Sequence, residues 1–224
     1  MVNLKEQESI FKLIGESLKE KTEAFVIGGS AMMYHGAKNV TKDIDLVFSN
    51  KKDKEKVEKV LKDLKFTPKS TKLVYIKKKN VPLLLQRDNI KIDLFCKRII
   101  CFELSQKMIE RVAAVYEFNN LILKIISPED IIVLKCATER PGDRLDAAEL
   151  IKNFEINWDI IVDEAVAQGK IGRGIFSVFL YDFLMELKED FKVEIPKQVL
   201  KNLMEISEKA ILKARKEGTL VREK

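Results

Sequence analysis

The sequence predicts an α/β (α+β) fold: a mixed sheet with flanking helices over residues 1–126, followed by an all-helical part over residues 127–224. Three observations predict it. Short apolar runs of strand length alternate with amphipathic stretches through the first half. The hydrophobic period changes from two to 3.6 at "SPED", residues 127–130. Beyond that point helical patterns follow one another without a strand-like run.

Residues 4–21 carry Ile10, Leu13, Ile14 and Leu18 at helical spacing. "AFVIGG" is an apolar strand stopped by two glycines, and "SAMMYHG" opens a helix with Ser30 at its N-terminus. "DIDLVF" reads as a central strand. Residues 51–65 form a Lys-rich helix whose Val57, Val60, Leu61 and Leu64 face the sheet. "KLVYIK", "VPLLLQ" and "IKIDLFC" are further strands, and "RVAAVYEFNNLILKII" is a hairpin turning at Asn119 and Asn120. Pro128 starts the first C-terminal helix, and "GDRLDAAELIKNF", "NWDIIVDEAVAQG", "GIFSVFLYDFLMELKEDF" and "PKQVLKNLMEISEKAILKARKEG" follow as helices. Trp158 and the Phe-rich "GIFSVFLYDF" are expected in the core, and His35 in a capping or packing role beneath the glycine turn.

Bulk properties narrow the function classes. With 224 residues, 46% of them hydrophobic and 34% charged, the chain can bury a core and stay in solution. No stretch approaches the roughly 20 apolar residues of a membrane span, and the N-terminal "MVNLKEQESIFKLIGESLKEK" lacks the apolar core and cleavage site of a signal peptide. Cys96, Cys101 and Cys136 have no zinc spacing and are expected to be reduced, which fits a cytoplasmic protein without a membrane partner. The single histidine, His35, excludes a multi-His metal centre and argues against a Ser-His-Asp triad. The net charge is +6, and residues 51–79 alone hold twelve Lys against four acids. That segment is either a solvated helix face with an exposed turn or a patch for phosphates.

The chemistry centres on "FVIGGSAMMYHGAKNVTKDIDLVF", residues 25–48. Side chains alternate along a strand, so Asp43 and Asp45 share a face about 7 Å apart at the backbone. Two converging carboxylates repel unless a cation lies between them, and a hard divalent ion such as Mg²⁺ or Mn²⁺ is the natural neutraliser. Asp93, in "IKIDLFC", is a third lone acid in an apolar strand. Gly28 and Gly29 leave the backbone open to a phosphate, and Ser30 adds a hydroxyl at the start of the next helix. A phosphate cradle beside a three-acid metal centre describes phosphoryl or nucleotidyl transfer.

Gly-Gly-Ser, twelve residues, Asp-x-Asp and a third acid on a later strand resemble the active-site signature of the DNA polymerase beta-type nucleotidyltransferase superfamily. With "IISPEDIIVLKCATERPGDRLDAAELI", the chain resembles its small stand-alone group related to abortive-infection toxin nucleotidyltransferases. The match covers residues 24–48, 90–96 and 121–151. The resemblance implies a nucleotidyltransferase core over 1–126 and a helical C-terminal domain over 127–224. It implies metal binding and catalysis by Asp43, Asp45 and Asp93, and phosphate contacts by Gly29 and Ser30. It places Lys135, Asp143 and Asp146 in the nucleotide cleft; from the residues alone, Lys135 equally suits an amphipathic helix, and the two acids suit a helix N-terminus. Relatives often carry an Arg where this chain has Asn39, leaving Lys38 or Lys42 as the neighbouring cations.

The expected function is metal-dependent transfer of a nucleoside monophosphate from ATP or another NTP to a hydroxyl on RNA, a small molecule or a protein. Two alternatives stand beside it. One is a non-catalytic nucleotide- or RNA-binding module of the same fold. The other is the toxin of a toxin–antitoxin pair, with an antitoxin-like protein as partner. In the RNA reading, Lys77, Lys78 and Lys79 hold the acceptor backbone.

Overall fold

The computed structural model describes residues 1–70, 80–138, 140–171 and 176–216. The expected strand "KLVYIK" and Lys77, Lys78 and Lys79 lie outside the described residues. The chain divides into two compact units, Met1–Ser127 and Pro128–Lys224.

The first unit runs β1 (Val2–Asn3), α1 (Leu4–Ser17), β2 (Thr22–Ile27), α2 (Gly28–Tyr34), β3 (Val40–Thr41), β4 (Ile44–Phe48), α3 (Lys51–Asp63), β5 (Thr67–Pro68), β6 (Leu83–Arg87), β7 (Ile90–Cys96), β8 (Arg98–Ile99), β9 (Phe102–Glu103), α4 (Gln106–Glu110), β10 (Ala114–Phe118) and β11 (Leu121–Ile125). The main sheet has the order β10-β11-β2-β4-β7-β6-β5. It is mixed: β2 and β4 pair antiparallel, while β11 runs parallel to β2 and β7 parallel to β4.

The central strands are apolar almost throughout because both faces are covered. Ala24, Phe25, Val26 and Ile27 of β2 and Ile44, Leu46, Val47 and Phe48 of β4 are all buried. Each large side chain among them contributes roughly 1.5–3 kcal/mol by leaving water. Helix α3 packs on β2, β4 and β7 through Val57, Val60 and Leu61. Asn50 caps it by accepting the Asp53 N–H at 2.9 Å.

Helix α1 begins with a capping box between Asn3 and Glu6 and stops at Ser17, short of the expected residue 21. Its buried stripe runs through Gln7, Ile10, Phe11 and Ile14. Phe11 therefore takes the inward position expected of Leu13, which is 42% exposed. Strand β6 starts at Leu83, after Pro82, which has no N–H for a ladder. The hairpin of β10 and β11 turns at Asn119 and Asn120, with Asn119 at φ +53°. His35 caps the C-terminus of α2, and its Nε2 lies 2.8 Å from the Ile126 carbonyl oxygen.

Four of the six lysines of α3 are salt-bridged, Lys52 through Glu20 at 3.8 Å. Lys51 pairs with Glu55, Lys62 with Glu58, and Lys56 with both Asp53 and Glu20.

The second unit is α5 (Pro128–Lys135), α6 (Pro141–Asn153), α7 (Trp158–Ile171), α8 (Phe176–Asp190) and α9 (Lys197–Lys216). Helices α7 and α8 pack on each other, as do α8 and α9. Phe176, Leu180, Phe183, Leu184 and Leu187 supply one buried face of α8. Phe179 lies outside that stripe and is exposed. Trp158, expected in the core, opens α7 and is only half-buried, because a helix's first position lacks a preceding turn to cover it. Among the described residues no helix is long and apolar enough to cross a membrane.

Candidate active site

Strand pairing brings the glycine turn and the acids together. Because β2 and β4 are antiparallel, the end of β2 lies beside the start of β4, with Ile27 opposite Asp45. The next residue, Gly28, therefore turns directly over Asp45. Because β4 and β7 are parallel and in register, Asp45 pairs with Asp93. Register partners on neighbouring strands project to the same face, so these two carboxylates rise side by side. Asp43 precedes β4 by one residue and Asp45 by two.

Gly28 has φ +60°, the left-handed region that glycine adopts at no steric cost. A Cβ on it would stand 2.7 Å from Asp45 Oδ2, so nothing separates the turn's backbone from that carboxylate. A Cβ on Gly29 would stand 2.6 Å from Thr41 Oγ1. The Cδ of Lys38 lies 3.7 Å from the same point, which puts this lysine's stem against the turn. Lys42 is exposed.

Ser30 is fully buried, and its hydroxyl donates to the Asp43 carbonyl oxygen at 3.3 Å. In this arrangement the Ser30 side chain supports the acid loop. Thr41, which the sequence reading did not single out, donates to the same carbonyl at 3.0 Å. Its signal in the sequence is slight, a hydroxyl two residues before an acid, a spacing common in turns.

The donors are carboxylates, the ligand type of hard divalent ions. Asp93 is 4% exposed, and Asp43 Oδ1 is buried and accepts no hydrogen bond among the described residues. Such an oxygen costs free energy unless a cation or donor meets it. Among the described residues no group of three or more His, Cys, Asp or Glu side chains stands in an arrangement that could hold a metal ion. In donor chemistry and strand register, these carboxylates suit a hard divalent ion.

In the helical unit, Lys135 of α5 is buried and donates to Asp143 Oδ1 and Asp146 Oδ2 of α6, both at 2.7 Å. Thr138 donates to Asp143 Oδ2 at 2.5 Å. Burial pushes the Asp143 carboxyl up, but Lys135, Thr138 and Arg140 outweigh it and hold the pKa below the usual value. Arg144 donates to the Thr138 carbonyl, pairs with Glu186 at 3.0 Å and lies over the Phe183 ring. Lys135, Asp143 and Asp146 therefore form a closed ion cluster that ties α5 to α6.

Residues 5–192 match the model of the family described as nucleotidyltransferase of unknown function, DUF6036, and the chain belongs to that family. Among solved structures it is similar to an antigenic nucleotidyltransferase-like protein from Paracoccidioides brasiliensis. The two share 16% identity, with 88% of this chain and 96% of that chain covered and a TM-score of 0.48. No curated protein matches the sequence.

Proposed function

We propose that this chain is a metal-dependent nucleotidyltransferase of the polymerase beta type, which moves a nucleoside monophosphate from an NTP to an acceptor hydroxyl. The observation that carries this reading is the register pairing of Asp45 with Asp93 beneath the Gly28 turn.

Asp43, Asp45 and Asp93 would hold Mg²⁺ or Mn²⁺. When bound, the ion neutralises the triphosphate and lowers the pKa of the acceptor hydroxyl. The chain's own contribution is positioning. The turn at Gly28 and Gly29 admits the phosphate chain close to the backbone because neither residue carries a side chain. The carboxylates fix where the α-phosphate stands relative to the acceptor. The acceptor oxygen gives its proton to solvent water and bonds to the α-phosphorus. The bond from that phosphorus to the bridging oxygen breaks, and pyrophosphate leaves.

The resemblance alone assigns Lys135, Asp143 and Asp146 to the nucleotide. The described lysines of α3 are engaged largely in ion pairs, so the acceptor class is left to experiment. Incubation with each α-labelled NTP, Mg²⁺ and an extract holding RNA, protein and metabolites tests the proposal. A labelled acceptor whose formation stops with EDTA is the expected outcome. Absence of label with all four NTPs in both Mg²⁺ and Mn²⁺ opposes it.

A further inference from the structure

Two hydroxyls from different elements converge on one carbonyl oxygen. Ser30 Oγ of α2 and Thr41 Oγ1 of β3 both donate to the main-chain oxygen of Asp43, at 3.3 and 3.0 Å. Asp43 lies just outside the ladder of β4, so its carbonyl takes these side-chain donors where a strand residue would take a backbone N–H. Both donors are buried, Ser30 fully and Thr41 at 7% exposure. Water therefore competes poorly for either bond.

The backbone of Thr41 is itself held. In β3 it pairs antiparallel with β1, Thr41 against Val2 and Val40 against Asn3. Val2 is buried, and Asn3 is fixed as the cap of α1. On its other side Thr41 fills the space left by the missing side chain of Gly29, 2.6 Å from where a Cβ would stand. The carboxylate at the end of this chain of supports has its Oδ1 buried without a hydrogen bond. A side chain in that condition drifts toward solvent or a donor unless its backbone is pinned.

We infer that Thr41, with Ser30, is a positioning residue: its hydroxyl clamps the Asp43 backbone so that the carboxylate stays aimed at the divalent ion. This rests on the metal-dependent reading above. Gly29 then has a second purpose besides admitting phosphate, since its bare Cα is what lets Thr41 reach the carbonyl.

The test measures Mn²⁺ uptake by the full chain, read as loss of the free-ion EPR signal, with a non-hydrolysable α,β-methylene NTP analogue present. Melting temperature is recorded in parallel. Thr41→Val keeps the shape and removes the donor, and it should weaken Mn²⁺ binding by about fivefold, the worth of one hydrogen bond. Thr41→Ser restores the donor and should bind within about twofold of wild type, whatever its melting temperature. Ser30→Ala removes the other donor and should weaken Mn²⁺ in the same direction, which keeps the inference testable if Thr41→Val fails to fold. Mn²⁺ binding by Thr41→Val equal to wild type overturns the clamp. So does a Thr41→Ser variant as weak as Thr41→Val, because shape and not the hydroxyl would then be responsible. If the wild type itself takes up no Mn²⁺ with the analogue, the metal-dependent reading fails before any variant is compared.

Discussion

Asp45 on β4 and Asp93 on β7 are direct partners across parallel strands. Their carboxylates are therefore held near each other by backbone ladders, not by flexible loops, and each charge destabilises the other when no cation is present. Replacing Asp45 by Asn keeps the volume and removes one of the two charges. Asp45→Asn should lower transfer at least about 100-fold, because electrostatic stabilisation by bound metal depends on that charge. The same change should raise the melting temperature of the metal-free protein. Single-turnover kinetics and thermal melts in EDTA check the two halves. Activity within a few-fold of wild type would remove Asp45 from the mechanism.

Gly28 joins β2 to α2 at φ +60°, over the carboxylate of Asp45. Gly28→Ala incurs the left-handed penalty of about 1–2 kcal/mol for a residue with a Cβ. It also drives that Cβ to 2.7 Å from Asp45 Oδ2. The expected result is a melting temperature lower by about 2–8 °C, given the sensitivity of a chain of this size. NTP affinity should fall with it, since the turn no longer lies open. Calorimetry showing unchanged stability would mean that the turn relaxes to another conformation.

Asp143 is the acid whose titration should be visible in stability. Its folded pKa is held below the ordinary 3.8, burial being outweighed by Lys135, Thr138 and Arg140. A depressed carboxylate contributes stability that is complete above the unfolded value and disappears as pH falls through the folded one. The wild type should therefore lose stability on acidification below about pH 4 more steeply than Asp143→Asn. At pH 7 the variant should be the less stable of the two, because Lys135 loses one of its two partners. Melts of both proteins between pH 7 and pH 3 at fixed ionic strength provide the comparison. Parallel curves would show that the ion cluster contributes nothing through Asp143.

Much of this site was legible in the residues because its members break the pattern around them. Asp45 and Asp93 are lone acids in apolar strands, and Gly28 and Gly29 stop a run of β-formers. Local pattern revealed them. What it could not show was which strands would lie side by side. The antiparallel pairing of β2 with β4 turns Ser30 toward the Asp43 carbonyl, and two-residue strands such as β1 and β3 are too short to leave a period. Thr41 was missed for that reason. Lys135 read as a helix lysine with an open role, yet partners eight and eleven residues later close around it. Leu13 and Trp158 were placed inward by hydrophobicity alone, whereas Phe11 holds the inward position in α1 and a helix start leaves Trp158 half-covered.

Under the proposed function, the acids beneath the Gly28 turn direct an NTP toward transfer of its nucleoside monophosphate. The most direct measurement compares label from α-³²P and γ-³²P NTP, with Mg²⁺ and extract, for wild type and Asp45→Asn. The expected result is that α-label joins an acceptor while γ-label is released in pyrophosphate, and that Asp45→Asn abolishes both. Transfer of γ-label to the acceptor, or α-label transfer undiminished in Asp45→Asn, would contradict it.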